Sequence, residues 1–107
     1  MLDFYLEGKI SLEKVVEKMA HAPADCFKIR ERGYIREGYW ADLVLVDLQK
    51  PFTVTKESLQ YRCGWSPFEG KTFGSTVLKT FVSGELKYNN GDFLFDEAGK
   101  RLTFNLR

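Results

Sequence analysis

At 107 residues the chain has room for one domain with a modest core, well short of the size of a complete barrel enzyme. Sixteen basic and fifteen acidic side chains leave a formal net charge of +1 and are interleaved without runs of one sign, which argues against binding to nucleic acid or to an anionic membrane surface. No apolar run approaches the roughly 20 residues needed to cross a bilayer, and the N-terminal MLDFYLEGK lacks the features of a secretory signal, so the cytoplasm is the expected compartment.

Leu2, Phe4, Tyr5 and Leu6 form a short apolar cluster closed by Gly8, the pattern of a helix that ends in a left-handed glycine cap. A helix beginning at the first residue is expected of a truncated chain. Ser11 is placed to cap the next helix, where Leu12, Val15, Val16 and Met19 repeat at three and four residues and share one face, with Glu13, Lys14, Glu17 and Lys18 opposite. Pro23 suits the first turn of another short helix through Cys26 and Phe27. Between them lies His21, the sole histidine, which is a candidate metal ligand or general base. A zinc site needs three or four protein ligands, so a structural or surface role is the expectation for His21.

Residues 32–47 read RGYIREGYWADLVLVD. Gly33 and Gly38 bracket a turn, a short strand over 34–37 and a second turn. Leu43, Val44, Leu45 and Val46 then form an unbroken apolar run, expected to be a strand covered on both faces. Asp42 and Asp47 flank that run and could suggest paired catalytic carboxylates, but five extended residues separate them by roughly 16 Å and put them on opposite faces. They are read as turn formers and hydrogen-bond acceptors, not as catalytic groups.

Pro51 opens an extended piece over 52–54, and Thr55 can cap a single helical turn through Leu59. RCGWSPFEGKTFG follows as an ordered loop pinned by Trp65 and Phe68 and turned by Pro67 and Gly70. Nucleophilic use of Ser66 or Cys63 would require a neighbouring base, and none is near in sequence. Cys63 and Cys26 are far apart and lack metal-ligand spacing, which favours reduced structural thiols. From Thr76 onward the pattern is a β-meander: strands over 76–82, 85–88 and 93–95, joined by Ser83-Gly84 and by the Asn89-Asn90-Gly91-Asp92 turn. A turn over 96–100 and an alternating extended tail with Leu102, Phe104 and Leu106 complete the chain. No phosphate-binding loop or dinucleotide fingerprint occurs.

RGYIREGYWADLVLVD, RCGWSPFEG and TVLKTFVSGELKY stand in the order and spacing of the C-terminal end of the amidohydrolase superfamily. CGWSPFEG followed by a hairpin, and the ending GKRLTFNLR, resemble dihydroorotase of the single-chain bacterial type, with allantoinase and hydantoinase as close alternatives. The resemblance implies an α+β fragment. Residues 1–31 would be the last helices of a catalytic TIM barrel that is otherwise absent, and 32–107 the C-terminal part of its composite, mostly antiparallel β-sandwich. It further implies a parent enzyme that interconverts carbamoyl aspartate and dihydroorotate in pyrimidine biosynthesis through a binuclear zinc site held by an HxH pair, a carboxylated lysine, two further histidines and an aspartate. None of those ligands maps onto this sequence, since HAPA at 21–24 falls in the helical part and no HxH occurs. The expectation is a non-catalytic fragment with no catalytic, cofactor or metal residues of its own. Its partners would be the missing N-terminal and barrel portions, or a second copy through exposed strand edges, with neither nucleic acid nor membrane. The competing reading is an independent β-rich binding module using the Trp65 and Phe68 loop.

Overall fold

The computed structural model describes residues 1–94 and 98–106, and the expected strand end at Phe95 and the turn residues Asp96 and Glu97 lie outside that range. A helical segment leads into an antiparallel sheet, an α+β arrangement in which no barrel closes. Helix α1 (Leu2–Leu6) ends in a double hydrogen bond: Gly8 N–H donates to the Tyr5 carbonyl and Lys9 N–H to the Phe4 carbonyl. Gly8 takes φ +76°, the left-handed conformation that such a cap requires. Asp3 Oδ1 accepts the Gly74 N–H at 2.9 Å and ties this helix to the distant β region.

Ser11 caps α2 (Leu12–Val16) by accepting the Lys14 N–H. The structure departs here from the expected pair of separate helices. α2 runs through a π-helical turn (Glu17–His21) straight into α3 (Ala22–Cys26). A proline inside a regular helix loses one hydrogen bond and drives its ring into the carbonyl four residues back. The wider turn, in which Ala22 N–H reaches the Glu17 carbonyl, carries Pro23 past that clash without ending the helix.

Strand β1 (Leu43–Asp47) pairs antiparallel with β4 (Thr76–Val82), β4 with β5 (Glu85–Asn89), and β5 with β6 (Asp92–Phe93). Both hairpin turns place two consecutive residues at positive φ, Ser83-Gly84 and Asn90-Gly91, the conformation whose twist matches right-twisted strands. A second, two-stranded sheet joins β2 (Phe52–Thr53) to β3 (Thr72–Phe73). Between these lies the one-turn helix Lys56–Ser58, where Thr55 N–H donates to the Ser58 hydroxyl. The tail folds back so that Phe104 bridges Ile29, with Arg30 N–H bonded to the Thr103 carbonyl.

Two further expectations fail between residues 34 and 46. Residues 34–37 form no strand: a bend at Tyr34 leads through irregular backbone into a turn at Glu37. The apolar strand β1 is not covered on both faces: Leu43, Val44 and Leu45 are 36, 59 and 52% exposed, and β1 is also the edge of its sheet among the described residues. Among the described residues only Val15, Ala24 and Arg32 are buried. The chain exposes 8383 Å², against about 6100 Å² for a compact monomer of its mass. Its radius of gyration is 15.6 Å, where a compact domain of this length has about 13 Å.

Candidate functional site

Among the described residues the buried charged group is Arg32, whose side chain is 8% exposed. Its Nη1 donates to Asp42 Oδ2 at 2.5 Å and its Nη2 to Ser83 Oγ at 3.1 Å. The other carboxylate oxygen of Asp42 accepts the Ser83 N–H at 2.7 Å, and the guanidinium lies 5.0 Å from the Trp40 ring centre. One carboxylate thereby ties the segment leaving the helices to the β4–β5 turn. Asp42 is a structural acceptor at the head of β1.

A second cluster adjoins it. Gly33, at φ +83°, crosses the helix so closely that a Cβ there would overlap the Ala24 methyl and lie 2.9 Å from the Ala20 carbonyl oxygen. That approach brings the Gly33 carbonyl within 2.7 Å of His21 Nδ1, and since a carbonyl can only accept, Nδ1 carries a proton to make the bond. The Tyr34 ring stacks on the imidazole at 4.1 Å, and Arg36 lies 4.2 Å from the opposite side of the same ring. Tyr34 Oη donates to Asp25 Oδ2 at 2.7 Å. This hydrogen bond raises the Tyr34 pKa above 10.0, because losing the proton would set a phenolate against a carboxylate.

Asp47 Oδ1 accepts the Gln49 N–H at 2.9 Å, closing the turn after β1. Cys26 and Cys63 are free and exposed, so neither serves the packing expected of it. Ser66 Oγ accepts the Phe68 N–H, and Cys63 Sγ approaches the Trp65 carbonyl. Backbone bonds between Val54 and residues 70–71, and an edge-to-face contact of Phe68 with Phe73, hold this loop. Trp65 does not pin it, being 61% exposed. Three or more His, Cys, Asp or Glu side chains do not converge anywhere among the described residues. With a single histidine and no such cluster, the donor set of the described residues does not fit a binuclear zinc centre. No helix among the described residues is long and apolar enough to cross a membrane.

What the fold does build is a groove of about 1380 Å³ between the helices and the sheet, larger than the usual small-molecule pocket. Val16, Met19, Ile35, Val44, Phe52 and Leu102 are among its walls, and Arg32 and Asp42 lie at its joint. Trp65 is not among its lining residues. The Arg32 clamp and the Tyr34 stack were not foreseen from the sequence. The available signal was an arginine ten residues ahead of an acid across a glycine-turned junction.

Residues 2–87 match the amidohydrolase family, and the chain belongs to it. It is 32% identical over 102 residues to a dihydroorotase of Pyrococcus horikoshii, covering 95% of this chain and 24% of that protein. It is 36% identical over 98 residues to an allantoinase of Desulfitobacterium hafniense, covering 92% of this chain and 22% of that one. Among solved structures it superposes on an L-hydantoinase (dihydropyrimidinase) from Arthrobacter aurescens with a TM-score of 0.77 at 30% identity, covering 88% of this chain and 21% of that chain. The chain thus spans about a quarter of the length of the curated relatives it matches.

Proposed function

We propose that the chain is the C-terminal, non-catalytic part of a dihydroorotase-like cyclic amidohydrolase. In this reading residues 1–31 are the last helices of the catalytic barrel, residues 32–107 complete its small sheet domain, and the zinc ligands and the substrate belong to the rest of the enzyme. The observation that carries the reading is the bare groove between helices and sheet: an apolar strand and an apolar helix face meet there with only Val15, Ala24 and Arg32 buried. Surface of that kind is what a domain shows where a larger body covers it. Similarity over nearly the whole chain to about a quarter of each dihydroorotase supports the same reading. The substrate is assigned to dihydroorotate over allantoin or hydantoin on the CGWSPFEG loop and the GKRLTFNLR ending.

The test has two arms. Sequencing the coding region that precedes this chain should reveal an HxH segment and a DHAPH-like segment in the same frame, and a frame without them would overturn the assignment. The purified 107-residue chain should leave dihydroorotate unhydrolysed in the presence of zinc, whereas turnover free of contaminating enzyme would place catalysis within these residues.

A second reading, a binding module acting through the aromatic loop, draws support from the exposure of Tyr61, Trp65 and Phe68. The open groove, however, lies against the helices and β1, where that loop does not reach.

A further inference from the structure

The outer edge of β1 carries unpaired backbone donors and acceptors flanked by Leu43, Val44 and Leu45, all exposed. Soluble proteins usually blunt such an edge with lysine, proline, a bulge or an inward charge. β1 has neither lysine nor proline. The irregularity in its pairing, where Leu45 opposes Lys79 and Val46 opposes Val77, puts the extra residue on β4 and leaves β1 regular. Asp42, at the head of the strand, is turned inward to Arg32 and Ser83 and guards nothing.

We propose that the 107-residue chain by itself forms a two-fold dimer in which the β1 edges of two copies pair antiparallel, joining two four-stranded sheets into one. A two-fold axis normal to the sheet keeps each face continuous with that of the second copy and opposes residues of like parity. Centred on Val44, it sets Leu43 against Leu45 of the second copy. Centred on Leu45, it sets Val44 against Val46. Neither register brings Asp42 opposite Asp47, so apolar pairs form without like-charge contact. The whole chain exposes about 2300 Å² more than a compact monomer of its mass, and the side chains along the β1 edge are part of that surplus. The pairing depends on this edge alone and on no assignment of substrate, so it stands or falls separately from the enzymatic reading.

Sedimentation equilibrium of the purified chain tests it. The expected mass is twice 12.4 kDa at high concentration, falling reversibly on dilution. Val44→Lys and, separately, Leu45→Lys put a charge on the edge at positions already exposed. Each should weaken dimerisation by about tenfold or more, with far-ultraviolet circular dichroism unchanged. Val44→Thr keeps the β-branched shape and should dimerise as the wild type does. Amide exchange in β1 should slow with concentration in the wild type and not in the lysine variants. A 12.4 kDa monomer at every concentration, open-ended aggregates, or folded lysine variants with undiminished dimerisation would each overturn the proposal.

Discussion

The joint around Arg32 and the edge at β1 adjoin in sequence and treat their side chains in opposite ways. At the joint a charged side chain is buried and every bond it makes is specific: a carboxylate, a hydroxyl and an indole face surround one guanidinium. At the edge, apolar side chains are exposed and the backbone has no neighbour on one side. The joint's polar groups are satisfied within this chain, while the outer side of the edge has no strand beside it among the described residues. The contrast separates what holds this chain's own fold from the surface on which the proposed pairing rests. A substitution at the joint should therefore act on stability, and one at the edge on association.

The largest effect is expected from Asp42→Ala. It leaves the Arg32 guanidinium buried without its carboxylate and frees the Ser83 N–H at the same time. Breaking a buried pair from one side costs about 3–5 kcal/mol, and the partial exposure of Asp42 places this case near ~3 kcal/mol. Urea unfolding at fixed chain concentration measures it, with Val44→Lys expected to stay within about 0.5 kcal/mol once both chains are monomeric. Equal losses from the two substitutions would erase the distinction between joint and edge. Gly33→Ala comes next. A non-glycine residue at positive φ costs about 1–3 kcal/mol, and here the added methyl also meets Ala24 and the Ala20 carbonyl. The same unfolding experiment should show a loss near ~2 kcal/mol, together with loss of protection at the Gly33-facing turn of the helix in amide exchange.

The contrast also explains what was readable in advance. Ser11 as a cap, Gly8 as a helix stop, and the Asn90-Gly91 turn act through their nearest neighbours, and each stands where the local pattern put it. The continuous helix through Pro23 was missed because a π-helical turn leaves no mark in apolar spacing. The run from Leu43 to Val46 suits a doubly covered strand and yet is exposed, because composition reports the burial a strand is suited to, whether or not the covering surface is in the same chain. The Arg32 clamp needs Ser83, fifty-one residues away, and the Tyr34 stack needs the helix to approach Gly33, so neither follows from sequence neighbours. Asp42 and Asp47 as hydrogen-bond acceptors did follow, since an acid at a strand end has backbone and side-chain donors close by.

The smallest effect, and the sharpest test of how firmly the joint is built, comes from Tyr34. Its hydroxyl donates to Asp25, a bond available only while the phenol keeps its proton, and this is why its pKa is raised. A folded-state pKa above that of the unfolded chain means the contribution is fully present below pH 10.0 and is lost as pH rises through the folded value. Tyr34→Phe removes the bond and keeps the ring against His21 and Arg36. The hydroxyl is open to solvent, which screens the bond, so the loss at neutral pH should be the smallest of the three. The more telling readout is tyrosinate absorbance on alkaline titration. The last component of the wild-type titration, displaced above pH 10.0 by the bond to Asp25, should vanish in Tyr34→Phe, and the stability of variant and wild type should converge once the wild-type phenol has ionised. If the last component persists in the variant, Tyr34 is not the group held protonated, and the stack on His21 would then rest on packing alone.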